Sequence, residues 1–159
     1  MRKQQQGFTF IELVITLAIV GVLSSLVIPV SQLALQRVRE RELKDALWSI
    51  RHGIDAYKRA SDEGRIPRTI GDNGYPASLD VLVDGVVDQR DPQRRKIYFL
   101  RRIPRDPMAR STEVGRDAAT WKKRSYASEA TDPQEGEDVY DIYSGSEQTG
   151  LNGVAYRLW

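Results

Sequence analysis

Glu12 is the only charged residue between Phe10 and Val30, in the run FIELVITLAIVGVLSSLVIPV. An acid in a membrane-length apolar segment costs about 2.5–3.5 kcal/mol at mid-bilayer and less toward the interface. Such a carboxylate needs either a cationic partner or the headgroups and water at the membrane surface. Other residues offer little chemistry. His52 is the single histidine; it sits in a helical stretch without a partner motif and is expected on the surface. No nucleophile elbow, phosphate-binding loop or metal-ligand spacing is present. With no cysteine in the chain, disulfides, thiolate metal sites, cysteine nucleophiles and lipid attachment through cysteine are excluded. The expectation is a protein that is not an enzyme, with no catalytic residues.

Charge is balanced overall, with 24 basic and 22 acidic residues, so bulk charge names no partner. Its distribution is uneven. Seven basic side chains stand at 90, 94, 95, 96, 101, 102 and 105 beside Asp91, whereas seven acids at 129, 132, 135, 137, 138, 141 and 147 stand among no lysine or arginine. The two segments either meet across a head-to-tail contact between copies, or are solvated, or neutralise each other within one domain. The basic stripe with Trp121-Lys122-Lys123-Arg124 raises the question of nucleic acid, but no recognition motif accompanies it and the acidic segment would repel DNA. Nucleic acid is not expected as a partner.

The elements that must position Glu12 follow from hydropathy. Phe10 to Val30 has the length a helix needs to cross the hydrocarbon core. Arg2 and Lys3 precede it with no acid before Glu12, which puts the N-terminus in the cytoplasm and the following chain outside. No A-x-A-like site closes the run, so it is not an ordinary cleaved secretory signal; a plain signal anchor is the alternative on hydropathy alone. Pro29 removes an N–H and clashes with the Ser25 carbonyl, which predicts a kink, or else the end of the membrane helix. Beyond it Leu43, Leu47, Ile50, Ile54 and Tyr57 repeat at helical spacing as one apolar stripe. A helix from residue 8 to about residue 60 would be roughly 80 Å long, too long for a small globule. Its first half, 8–30, is expected in the membrane and its second, 31–60, to dock on a domain formed by 61–159. The charged residues from Arg37 to Asp45 are expected to be solvated or to face neighbouring subunits.

Turn-rich residues 61–76 end the helix. Ser78 is placed to cap a short helix presenting Leu79, Leu82 and Val83 to the core. Strand formers then occur at 96–100, 125–128, 139–144 and 154–159, predicting a small antiparallel sheet against the stripe, with Tyr140, Ile142 and Tyr156 on its faces. The fold class is α+β.

The order Gly7-Phe8-Thr9-Phe10-Ile11-Glu12 behind Arg2 and Lys3 resembles the prepilin processing signature of the type IV pilin-like family. The resemblance implies a leader of residues 1–7, a prepilin peptidase that cuts between Gly7 and Phe8 and methylates the new Phe8 amine, and a Glu12 carboxylate that pairs with that amine on a neighbouring subunit. A glycine before the cut lets the backbone enter a protease extended, with no side chain to clash. Pilin-like helices also commonly carry a proline where Pro29 stands, which implies a segment able to loosen as the subunit leaves lipid.

Farther along, Tyr75, Pro76, Leu79, Leu82, Tyr98, Leu100, Ile103, Pro104, Asp106 and Pro107 resemble the G-type major pseudopilins of type II secretion. This implies a lollipop-shaped structural subunit, anchored by a single pass in the bacterial inner membrane with its C-terminal domain in the periplasm. It would polymerise with copies of itself and other pseudopilins into a filament, on an inner-membrane assembly platform. A surface type IV pilus subunit, and a competence pseudopilin serving DNA uptake, are the alternatives. In that family an aspartate-rich C-terminal loop binds calcium. Residues 145–153 here offer Glu147, Asn152 and carbonyls, with Asp138 and Asp141 in reach only if strand alternation points them there, so no metal is expected. The stretch between Met108 and Tyr126, including Trp121, departs from the family pattern and is expected as a surface loop.

Overall fold

The computed structural model describes residues 7–69, 71–109 and 116–159, with the side chains of 26–29 outside the described set. Its first element, α1, runs Phe10–Asp62. Two compact units divide at this helix, one ending at Val38 and the other Arg39–Trp159.

In the first unit every described side chain from Gly7 to Ser25 is exposed, including Phe8 at 83 % and Phe10 at 84 %. This is the pattern of a helix whose surroundings are not its own chain, since a core helix of this hydropathy would hide one or more faces. Two of its hydroxyls turn back on the helix: Thr16 Oγ1 donates to the Glu12 carbonyl at 2.9 Å and Ser25 Oγ to that of Val22 at 2.7 Å, so both are satisfied by the helix's own backbone. α1 continues past Pro29, whose side chain lies outside the described set.

In the second unit the apolar stripe is the spine of the core. Leu43, Leu47, Ile50 and Ile54 are buried to 3 % exposure or less, each contributing about 1.5–3 kcal/mol relative to exposure. They pack with Leu79, Leu82, Ile103, Trp121, Val139, Ile142 and Tyr156. The helix stops where expected, and the stop is Gly64. At φ +68° it takes the left-handed conformation that costs glycine nothing, and its N–H meets the Ser61 carbonyl while that of Arg65 meets Ala60, both at 2.9 Å. This is the Schellman arrangement that satisfies the last helical carbonyls.

After it, α2 spans Asp80–Asp84 with Leu79 at its N-cap and no side-chain cap. Ser78 is therefore not the capping residue, although Leu79 and Leu82 are buried as expected.

Two small antiparallel sheets replace the single sheet foreseen. β1 (Val86–Val87) pairs with β2 (Lys96–Ile97), and β3 (Trp121–Arg124) pairs with β4 (Asp141–Ser144) in the register Trp121 to Ser144 and Arg124 to Asp141. The strand expected over 96–100 ends at Ile97 because the N–H groups of Phe99 and Leu100 both turn to the Leu82 carbonyl, at 3.0 and 2.9 Å. Residues 125–128 form a turn rather than a strand, held by Ser128 N–H to the Ser125 carbonyl. The C-terminal stretch is a short 3-10 helix at Tyr156–Leu158 with one bridge from Thr149 to Ala155. Trp121, expected on a surface loop, is 2 % exposed, its Nε1–H donating to the Pro104 carbonyl at 2.8 Å.

Candidate assembly site

The N-terminal chemistry centres on a reciprocal cap. Thr9 directs both its N–H and its Oγ1–H to Glu12 Oε2, each at 2.9 Å, and its Oγ1 accepts the Glu12 N–H at 3.3 Å. A capping box of this kind satisfies donors that a helix start leaves unpaired, and it fixes the carboxylate beside the first turn. Thr9 was missing from the sequence-based set although its signal was present: a threonine three residues before a glutamate, directly ahead of an apolar run. Gly7 precedes the helix, with open space around the position a side chain would take, and Phe8 stands exposed between Gly7 and the cap.

In the second unit the Ile103-Pro104-Arg105-Asp106-Pro107 turn is structural. Asp106, 1 % exposed, accepts hydrogen bonds from Ser144 Oγ at 2.6 Å and Met108 N–H at 2.8 Å, and its own N–H donates to Thr120 Oγ1 at 3.0 Å. A buried carboxylate persists when its oxygens are engaged in this way, and here it fastens the turn to β4. His52 lies exposed on α1, stacked on Trp48 with ring centroids 5.2 Å apart. Tyr75, Tyr126 and Tyr140 cluster with centroid separations of 5.0–5.6 Å. Among the described residues no group of three or more His, Asp or Glu is arranged to hold a metal ion.

Members of the oppositely charged segments find partners elsewhere in the chain or within their own segment. Arg95 pairs with Asp91 at 2.6 Å, Asp141 with Arg51 at 2.8 Å and with Arg124 at 3.6 Å, and Glu135 with Lys123 at 3.6 Å. Among the described residues no ion pair joins 90–105 to 129–147. Asp88 is tied instead to Arg65 at 2.6 Å; that hydrogen bond, with help from the Arg90 N–H, holds its carboxyl below the usual aspartate range.

Comparison with known proteins agrees with this arrangement. The prokaryotic N-terminal methylation motif matches residues 2–28. The type II secretion system core protein G of Dickeya chrysanthemi is 25% identical over 158 residues, 96% of this chain and 97% of that protein. Its counterpart in Aeromonas hydrophila is 27% identical over 107 residues, 67% of this chain and 69% of the relative. That of Pectobacterium carotovorum subsp. carotovorum is 30% identical over 105 residues, 65% of this chain and 62% of the relative. No solved structure matches the chain at a significant level. With an exposed apolar helix inside a methylation motif and a likeness to core protein G that reaches the full length of the chain, this protein is similar to the pseudopilins of the type IV pilin-like family.

Proposed function

We propose that residues 1–7 are removed by prepilin peptidase on the cytoplasmic face, that the Phe8 amine so released is methylated, and that the mature subunit polymerises into a periplasmic filament serving type II secretion. Before assembly, residues 8–30 hold it in the inner membrane by a single pass, residues 31–60 carry the helix into the periplasm, and 61–159 form the periplasmic domain. In the filament, Glu12 of one subunit meets the Phe8 amine of the next, which neutralises two charges away from water and sets the axial register. Pro29 loosens the helix between its membrane and periplasmic halves. Other pseudopilins, the peptidase and the inner-membrane assembly platform are its partners.

The observation that carries this reading is the spacing: a lone acid stands four positions after Phe8 at the head of an apolar helix that its own chain leaves uncovered. A carboxylate at that depth calls for a cation, and a freed amine at residue 8 supplies one per subunit. The similarity to core protein G favours secretion over a surface pilus.

Deleting the gene tests the reading. Release of secreted proteins into the medium should be lost while surface pili remain; loss of pili with secretion intact would assign the subunit to a type IV pilus instead.

A further inference from the structure

The resemblance to G-type pseudopilins implies a calcium ion in the loop that follows β4, and the donors of this loop do not fit one. A calcium site gathers six to eight oxygens around a hard cation. Here Glu147 is exposed. The two nearby acids are turned elsewhere: Asp141 to Arg51 and Arg124, and Asp138 to Asn73 Nδ2 at 2.6 Å and Tyr126 N–H at 2.8 Å. Several of the loop's own oxygens are engaged by N–H groups. Gln148 O accepts from Tyr156, Gly150 O from Gly153, and Val154 O from Gly150, while Asn152 Oδ1 accepts the Val154 N–H at 3.0 Å.

What converges at the inner side of the loop is a pair of donors. The Leu151 N–H and the Tyr156 O–H both point at Oε1 of Glu40, at 2.8 and 2.9 Å. Glu40 lies on α1 and is 9 % exposed, and Tyr156 is 1 % exposed, so these are bonds to a largely desolvated anion, the strong kind. Tyr156 in turn packs edge-on against Trp159, with ring centroids 5.1 Å apart. Gly150 leaves room for this packing: a Cβ there would stand 2.6 Å from Trp159 Cζ2 and 3.2 Å from Tyr156 Cε1. The polarity of a cation site is inverted, with donors surrounding a carboxylate supplied by the helix.

We propose that Glu40 is the internal ligand of the C-terminal loop: its carboxylate, gripped by Leu151 N–H and Tyr156 O–H, closes residues 145–159 onto α1 and makes their order independent of calcium. The helix provides from within the chain the charge that closes the loop. This holds whether the filament serves secretion or a pilus.

Hydrogen exchange at the Leu151 amide, together with thermal melting of the full chain in detergent micelles, tests it. The wild type should show the same Leu151 protection and the same melting midpoint in excess EGTA and in millimolar calcium chloride. Glu40→Ala should speed exchange at Leu151 about tenfold or more, and calcium should not restore it. Tyr156→Phe removes only a hydroxyl and should speed the same amide by a smaller factor; it carries the test alone if Glu40→Ala does not fold. Calcium-dependent protection or melting of the wild type would overturn the proposal, as would unchanged Leu151 exchange in Tyr156→Phe or in a folded Glu40→Ala.

Discussion

Glu12→Ala should be cleaved and inserted in the membrane like the wild type, yet yield almost no filament. Alanine removes a charge from the apolar run, so insertion becomes easier. Assembly instead loses its charge pair and leaves the Phe8 amine of the neighbouring subunit desolvated and unpaired. Breaking such a pair costs about 3 kcal/mol or more, on the order of a hundredfold in the association constant at every subunit contact. Because a filament repeats that contact, the loss in polymer is larger than the loss at one interface. Glu12→Gln separates charge from capping. Its amide oxygen still accepts from Thr9, as glutamine does in capping boxes, so the helix start is kept while the charge is gone. Sheared or cross-linked filament from both variants should fall to near background. Wild-type polymer from Glu12→Gln would mean that capping, and not charge pairing, is what this residue supplies.

Trp121→Ala should destabilise the second unit more than any surface change. It empties a site 2 % exposed in the middle of the core and leaves the Pro104 carbonyl without the indole donor that reaches it at 2.8 Å. Replacing a buried tryptophan by alanine costs about 3–5 kcal/mol, a large share of the 5–15 kcal/mol typical of a whole domain. The melting midpoint should drop by about 10 °C or more, and the protein should fall in abundance in cells as its unfolded fraction is degraded. Trp121→Phe, which keeps most of the apolar volume, should lose less. A midpoint within a degree of wild type for Trp121→Ala would show that the β3 region is not part of the core.

That tryptophan marks where sequence reasoning ran out. The helical stripe was legible because five apolar residues at helical spacing are a local signal, and the end of the helix because turn-forming residues crowd 61–76, though which of them makes the stop was not read. β3 was not legible. Trp-Lys-Lys-Arg holds one apolar side chain, too few to show strand alternation, and it becomes a strand by pairing with β4 some twenty residues away. The end of β2 was hidden for a related reason, since a carbonyl from α2 decides it. Glu40 was read as part of a charged run that is solvated or faces neighbouring subunits, yet it stands three positions before Leu43 on the buried stripe. An acid on an apolar face is a pointer to a buried partner, in this case Tyr156 and the Leu151 amide. At the N-terminus the methylation motif was legible because Gly7, Phe8 and Glu12 lie within six consecutive residues, whereas Thr9, whose capping signal went unread, stands out through its hydrogen bonds to Glu12.

Everything proposed for assembly begins with a new amine at residue 8, so the mass of the mature N-terminus is the most direct test. Protein isolated from membranes of cells that contain prepilin peptidase should begin at Phe8 and carry one added methyl group on that amine, and in cells lacking the peptidase it should retain residues 1–7. A chain that begins at its original N-terminus despite the peptidase, or one cut beyond Val30 so that Glu12 is lost, would contradict the account.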